Sequence, residues 1–423
     1  MSLPGASPGP FQVVRNPLGR TSVWPTSRTL PTGWTPAEIF GTRQQCLNAI
    51  SQNSEVTDQR LPLQRMSFSL MFFGDQEFDG TGDKYRLLQE TAKRADRSGF
   101  DAIWLPERHF TQFGCLYPSP AVLHAALARE TSRISLRAGS VVMPLHHPVR
   151  VAEDWAVVDN LSNGRVELAF ASGWHPNDFA LAPDQYGQRN ERMQSGLRQV
   201  RQLWRGEAIN LRNGTGQTVP VRIYPTPIQP ELKVWLTIAG SRESFVQAGR
   251  DGFDVLTHLF NQDVEQLAEN IGLYRKTRQQ HGWPEGSGRV AVALHTFVAQ
   301  TVDQVIQHAK EPYCEYLRTN LGLLKNLAIS RGSEAELEGL SATELDQMLS
   351  WAFDKFVGGR SFMGTPQTCQ QLIHELLRIG VTEVACLLDF GPSTDTILEH
   401  FGQLETLVQQ ASQCRPAPRD STV

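Results

Sequence analysis

From residue 66 onward the chain alternates short β-branched and aromatic runs with longer stretches of helical periodicity. The pattern predicts strands at 67–73 (SFSLMFF), 100–105 (FDAIWL), 134–142 (ISLRAGSVV), 165–171 (RVELAFA), 233–239 (KVWLTIA), 253–258 (FDVLTH), 289–299 (RVAVALHTFVA) and 383–389 (EVACLLD). It predicts helices between them at 83–98, 118–131, 148–161, 189–205, 243–250, 264–280 and 366–379, and a last one at 394–412. Several strands are apolar at nearly every residue, as burial on both faces of a parallel sheet requires. Eight strands, each followed by a helix, predict an α/β fold of the (β/α)₈ TIM-barrel kind. The competing doubly wound sheet usually opens with GxGxxG after its first strand, and FFGDQEFDG at 72–80 does not match.

Two connections are long. Residues 206–232 form an insertion before strand five, and 300–365 an insertion after strand seven. The second carries helical patterns near 302–328 and 333–357, and its place at the end of a strand suits a lid. Ahead of the barrel, residues 1–62 hold Pro4, Pro8, Pro10, Pro17, Pro25, Pro31 and Pro36 among polar residues. This segment is expected to be a partly disordered Pro-rich extension, with room only for a short helix at 36–52. The barrel is assigned to 63–412 and a frayed C-terminal tail to 413–423.

Composition narrows the function classes. Hydrophobic residues make up 40 % and charged residues 20 %, as in a folded globular protein. The net charge is −4 without a basic run, which argues against a nucleic-acid surface. No apolar stretch approaches the roughly 18 residues that span a bilayer. The opening MSLPGASPGPF lacks the charged and apolar regions of a secretion signal. The six cysteines (46, 115, 314, 369, 386 and 414) show no CxxC spacing, so neither a disulfide scaffold nor a structural zinc site is expected, and a cytoplasmic location is.

A barrel carries its chemistry at the C-terminal ends of its strands. Strand two runs into Pro106-Glu107-Arg108-His109-Phe110, where a His beside Glu and Arg can handle a proton near neutral pH or be a structural residue bonded to the loop. Strand three runs into Met143-Pro144-Leu145-His146-His147-Pro148. Its His pair has no companion ligands at metal spacing, and His147 before Pro148 reads better as a helix start. Strand four ends in Ser172-Gly173-Trp174-His175, where Gly173 permits close approach and Trp174 can face a flat ligand. Strand five ends in Gly240-Ser241-Arg242-Glu243-Ser244 and leads straight into a helix, an arrangement equally suited to phosphate and to an ordinary Ser cap.

These residues fall into a known pattern. The run HPVRVAEDWAVVDNLSNGRVELAFASGW (147–174) resembles the signature segment of bacterial-luciferase-like flavin monooxygenases. ERHF (107–110) resembles that family's Glu-x-His-Phe after strand two, and SGFDAIWLPERHF, GSRES and FMGTPQ (362–367) keep its order and spacing across about 66–410. Within the family the chain most resembles the branch found beside nonribosomal-peptide and polyketide genes. The resemblance implies a TIM barrel using reduced FMN, supplied by a separate flavin reductase, and O₂. It implies His109 and Glu107 as catalytic residues, and Met143, Ser172, Gly173, Trp174, Gly240, Ser241 and Ser244 around the cofactor. Luciferase itself carries a basic residue where this chain has Ser172, so Arg242, Arg189 or Arg192 is left to balance the phosphate. A small or carrier-bound substrate of secondary metabolism follows from the branch. Helix 118–131, rich in Ala, Leu and Val beyond one buried face, predicts a homodimer. Two other readings remain: a deazaflavin (F420)-dependent hydride-transfer enzyme on the same barrel, and a catalytically silent flavin-fold protein that binds a partner through its N-terminal extension.

Overall fold

The computed structural model describes residues 10–15, 21–30, 34–46, 49, 65–74, 83–110, 116–260, 262–319, 341–357 and 359–413. The chain divides into two units, 1–64 with 416–423, and 65–415.

The first unit is built on strands β1 (Phe11–Arg15), β2 (Thr21–Pro25) and β3 (Thr35–Gly41), antiparallel in the order β2-β1-β3. This corrects the expectation that a short helix is the only element before residue 62: helical residues are described only at 43–46 and 49, and the main described element is this sheet. The physical reason is where the prolines fall. The central strand, FQVVR, has none and buries Val13 and Val14. Pro25 ends β2 and Pro36 lies in β3, both outer strands, where a missing N–H costs little of the ladder.

The second unit is the barrel. Strands β4 (Ser67–Met71), β5 (Ala102–Leu105), β6 (Ser135–Val142) and β7 (Val166–Ala171) open it. A hairpin of β8 (Ile209–Arg212) and β9 (Thr218–Val221) follows outside the barrel. Strands β10 (Lys233–Thr237), β11 (Asp254–His258) and β12 (Val290–Val298) continue it, the short β13 (Phe362–Gly364) pairs in parallel with the C-terminal end of β12, and β14 (Glu383–Leu387) completes it. The order β11-β10-β7-β6-β5-β4-β14-β12 closes through β11–β12, and all these barrel pairings are parallel. Each of the eight expected strands is present.

Helices α1 (Arg86–Arg97), α2 (Pro120–Glu130), α3 (Pro148–Ser162), α4 (Arg189–Trp204), α5 (Arg242–Asp251) and α6 (Val264–Gln280) follow the first six barrel strands. After β12 come α7 (Val302–Thr319) and α8 (Ala342–Val357), with 320–340 between them outside the described residues. Helices α9 (Pro366–Arg378) and α10 (Thr394–Gln413) complete the unit. Of the expected C-terminal tail, all but Gln413 lies outside the described residues.

Alternation along the strands sorts side chains into two layers. One set packs outward against the helices. The other (Met71, Trp104, Ala169, Trp235, Leu256, Ala291, Ala385 and Leu387) fills the barrel. Its N-terminal end is plugged by a buried polar network. Arg137 donates to Glu383 at 2.7 Å and pairs with Glu167 at 3.1 Å, Arg289 pairs with Glu167 at 2.8 Å, and the rings of Trp104 and Trp235 lie under the Arg137 guanidinium. Such pairs are costly to desolvate and tolerated because each charge is matched. The C-terminal end is left as the mouth.

Candidate active site

The loop after β5 brings the ERHF residues to the mouth. Glu107 is buried, and both of its carboxylate oxygens are used. Oε1 accepts from His109 Nε2 at 2.9 Å and from His146 Nε2 at 2.5 Å, and Oε2 accepts from the backbone N–H of Val142 at 2.8 Å. Burial would push the Glu107 carboxyl up. The bonds from the two histidines, the His146 charge and the Val142 N–H outweigh it and hold it below the ordinary carboxylate range. His146 responds in the opposite sense: burial lowers it, but Glu107, helped by Asp154, raises it above the usual histidine value. The His109 side chain is 12 % exposed and that of His146 34 %.

Arg108, treated in the sequence only as a neighbour of His109, is buried at the centre of this region. Its guanidinium lies 5.0 Å from the Trp174 ring centre and 5.8 Å from that of Phe73. Burial lowers its pKa, against the charge of Asp178 in the loop after β7. Trp174 is itself 48 % exposed and meets His175 edge-on. Gly173 has φ 79°, and a Cβ there would lie 2.8 Å from Phe179 and 2.9 Å from Val142, so this turn after β7 admits only glycine. Beside it a hollow of about 480 Å³ is lined by Phe110, Pro176, Asn177, Phe179, Ala180, Pro183 and Tyr186.

At the start of α5, Ser241 caps the helix by accepting from the Ser244 N–H at 3.3 Å, and its hydroxyl donates to Glu243 at 2.9 Å. Gly240 has φ 121°, with nothing closer than 3.8 Å to a Cβ there. The helix N-terminus is thus exposed and electropositive, but Glu243 occupies the hydroxyl that an anion would use. Arg242 pairs with Glu269, and Arg189 stacks on Tyr186. Met143 is directed elsewhere: its side chain packs on Gly196 of α4, and only its backbone is near the mouth, with its carbonyl accepting from the His146 N–H. His147 caps α3 ahead of Pro148 at its first turn, the helix-start role its sequence suggested.

Two further features were not foreseen. Asp389, just beyond β14, accepts from the N–H groups of Phe73 and Gly74, both at 2.7 Å, and from the Tyr117 hydroxyl at 3.1 Å. Burial pushes it up to about 7 despite these donors. A polar residue ending the apolar run LLDF at a strand's C-terminal end was a readable signal. His295 of β12 is pulled down to about 3 by burial and is ringed by Tyr313, Tyr316, Phe356 and Phe390. No sequence cue showed that α7 and α8 would close aromatic rings over it. Among the described residues no cluster of three or more His, Cys, Asp or Glu is arranged to hold a metal ion.

The model of the family described as luciferase-like monooxygenase matches residues 66–383, the whole run from β4 into β14. The chain belongs to this family. Its barrel is that of a luciferase-like oxidoreductase. The chain is 28 % identical over 254 residues to the oxygenase component of a flavin-dependent trigonelline monooxygenase from Acinetobacter baylyi, covering 58 % of this chain and 69 % of that one. An alkanal monooxygenase alpha chain from Photorhabdus luminescens is 24 % identical over 213 residues, 50 % of this chain and 58 % of that one. An F420-dependent glucose-6-phosphate dehydrogenase from Amycolatopsis mediterranei is 31 % identical over 178 residues, 40 % of this chain and 52 % of that one. The chain thus spans only about half to two thirds of the length of these relatives. Among solved structures, monooxygenase RslO1 from Streptomyces bottropensis superposes with a TM-score of 0.65 at 21 % identity, covering 82 % of this chain and 99 % of that one. The oxygenating constituent of 3,6-diketocamphane monooxygenase from Pseudomonas putida, solved with FMN, gives 0.67 at 18 % identity, with 84 % of this chain and 100 % of that one covered. Residues 5–60 match a different family, described as MbtH-like protein, so the first unit of this luciferase-like chain is a module of its own kind. No helix among the described residues is long and apolar enough to cross a membrane.

Proposed function

We propose that the chain is a monooxygenase that uses reduced FMN, delivered by a separate flavin reductase, and O₂ to oxidise a small or carrier-bound substrate of secondary metabolism. The observation that carries this reading is the His109–Glu107–His146 cluster at the mouth of a luciferase-like barrel. The residues fit a flavin in kind. Trp174 and Phe110 offer exposed aromatic surface, Gly173 and Gly240 keep backbone accessible, and the α5 N-terminus with Ser241 and Ser244 suits a phosphate once Glu243 turns away. Bound reduced flavin supplies the electrons for O₂ activation. The chain's own part is to exclude water and to move one proton. Phe73, packed by Arg108, and the exposed Phe110 and Trp174 are the aromatic residues available to shield the site, whereas Phe72 and Trp104 are buried in the core. His109 takes or gives the proton, oriented by Glu107. A homodimer through α2 and α3, where Val122, Val157 and Leu161 are exposed, completes the proposal; light scattering at micromolar concentration should give twice the chain mass.

The test is anaerobic titration with reduced FMN followed by exposure to oxygen. Saturable binding at micromolar or weaker affinity, tighter than for oxidised FMN, with oxygen uptake, supports the reading. Purification with tightly held FAD, or no saturable binding of reduced FMN, would sink it. The F420-dependent relative favours the alternative of hydride transfer without O₂. Reduction of the deazaflavin by a donor substrate, with no oxygen uptake from reduced FMN, would favour that alternative.

A further inference from the structure

His146 contributes nothing to the family resemblance above, yet it makes the shorter of the two bonds to Glu107. The Glu107 side chain is 2 % exposed, and its second oxygen is held by the Val142 N–H, so the carboxylate cannot turn to water. A buried carboxylate needs matching cations or a full set of hydrogen-bond donors, and the donors to Glu107 among the described residues are the Val142 N–H and the two histidine rings. Its ion-pair partners are His109 and His146, and no lysine or arginine pairs with it among the described residues. Of these donors only the two histidines can carry a charge. The more exposed one can exchange protons with solvent, and it also faces Asp154 of α3.

We propose that His146 is a positioning residue that supplies the cation for Glu107, so that His109 stays neutral, donates its Nε2–H to Glu107 and keeps Nδ1 bare to accept a proton at the mouth. The proposal rests on the reading of His109 as the proton-handling group. In its chemistry nothing is oxidised: one proton resides on His146, exchanging with water, and the pair Glu107–His146 is neutral overall. If His146 cannot be charged, the cation falls to His109, which then has no lone pair to offer.

The experiment is long-range ¹H–¹⁵N NMR of the histidine rings in flavin-free protein near pH 7, with His109 assigned by the loss of its signals in His109→Asn. In wild type His109 should show one protonated and one bare nitrogen, the protonated one being Nε2. In His146→Gln the bare-nitrogen signal should vanish as the ring becomes an imidazolium. His146→Lys, with its permanent charge, should restore it. So should the double variant Glu107→Gln/His146→Gln, which needs no cation; it covers the case in which lysine does not fit. Unchanged His109 signals in His146→Gln would overturn the proposal, as would failure of both restoring variants in protein that keeps its fold by circular dichroism. Because no flavin is present, these spectra decide the matter whether or not the chain oxidises reduced FMN.

Discussion

His109 sits between a buried carboxylate and the open end of the barrel, and its consequences are chemical more than structural. A half-buried mouth residue contributes little core packing, so His109→Ala should fold normally. Loss of a positioned acid–base group should lower substrate oxidation by about 10²–10⁴. Oxygen uptake should persist and be diverted to H₂O₂. Product and H₂O₂ measured on one sample decide this: wild-type product yield with no added H₂O₂ would make His109 structural. Ser241 poses a different problem, because its hydroxyl already serves both the helix cap and Glu243. If a phosphate replaces Glu243 there, Ser241→Ala loses a bond to a charged group, about 1.5–3 kcal/mol, or roughly ten- to a hundredfold in the FMN dissociation constant. Ser244→Ala, whose backbone N–H remains, should cost less. Equal dissociation constants in wild type and both variants would move the phosphate elsewhere.

At the scale of elements, the Asp389 clasp ties the end of β14 to the turn after β4 and to Tyr117 in the loop after β5. Its pKa, raised to about 7 against roughly 3.9 for an unfolded aspartate, fixes a sign. The folded state holds a proton that the unfolded chain has released, so this group's contribution is full below about pH 4 and is lost as pH rises to about 7, by about 1.4 kcal/mol per unit of pKa difference. Urea midpoints at pH 5 and pH 8 should therefore fall further in wild type than in Asp389→Asn; parallel behaviour would show that the carboxyl is already ionised at pH 5. The clasp also marks the limit of what periodicity reveals. Apolar runs announce strands because burial on both faces demands them, and all eight barrel strands and the helices between them were legible for that reason. The His109–Glu107 pairing was suggested by adjacency. The bonds from His146 to Glu107 and from Phe73, Gly74 and Tyr117 to Asp389 were not, because they join residues 39 and 272 to 316 positions apart through the pairing of neighbouring barrel strands, which no local pattern encodes. Met143, in the tight turn after β6, has its side chain packed on Gly196 of α4. The β8–β9 hairpin was missed although Asn213-Gly214-Thr215-Gly216 is turn chemistry, because its strands are short and largely polar.

The whole molecule joins two units with separate cores, and this bears on what each can do alone. The first has its own sheet, centred on Val13 and Val14, and a family match of its own. The barrel closes on itself, with β4 hydrogen-bonded to β14 on one side and β5 on the other, so no strand of the first unit is needed to complete it. The proposed proton-handling group, the helix-start serines and the Asp389 clasp all belong to residues 65–415. Removal of residues 1–62 should therefore leave a folded barrel that binds reduced FMN and consumes oxygen within about twofold of the full chain. If the first unit instead serves recognition of a protein partner, as a separately folded module suits, truncation should spare the flavin reaction and impair only turnover of a carrier-bound substrate. The two outcomes separate on one pair of measurements, flavin affinity and product formation, made on full-length and truncated protein. A soluble, folded truncation that had lost flavin binding would place part of the flavin site in the first unit, and the division of labour argued from barrel closure would fall.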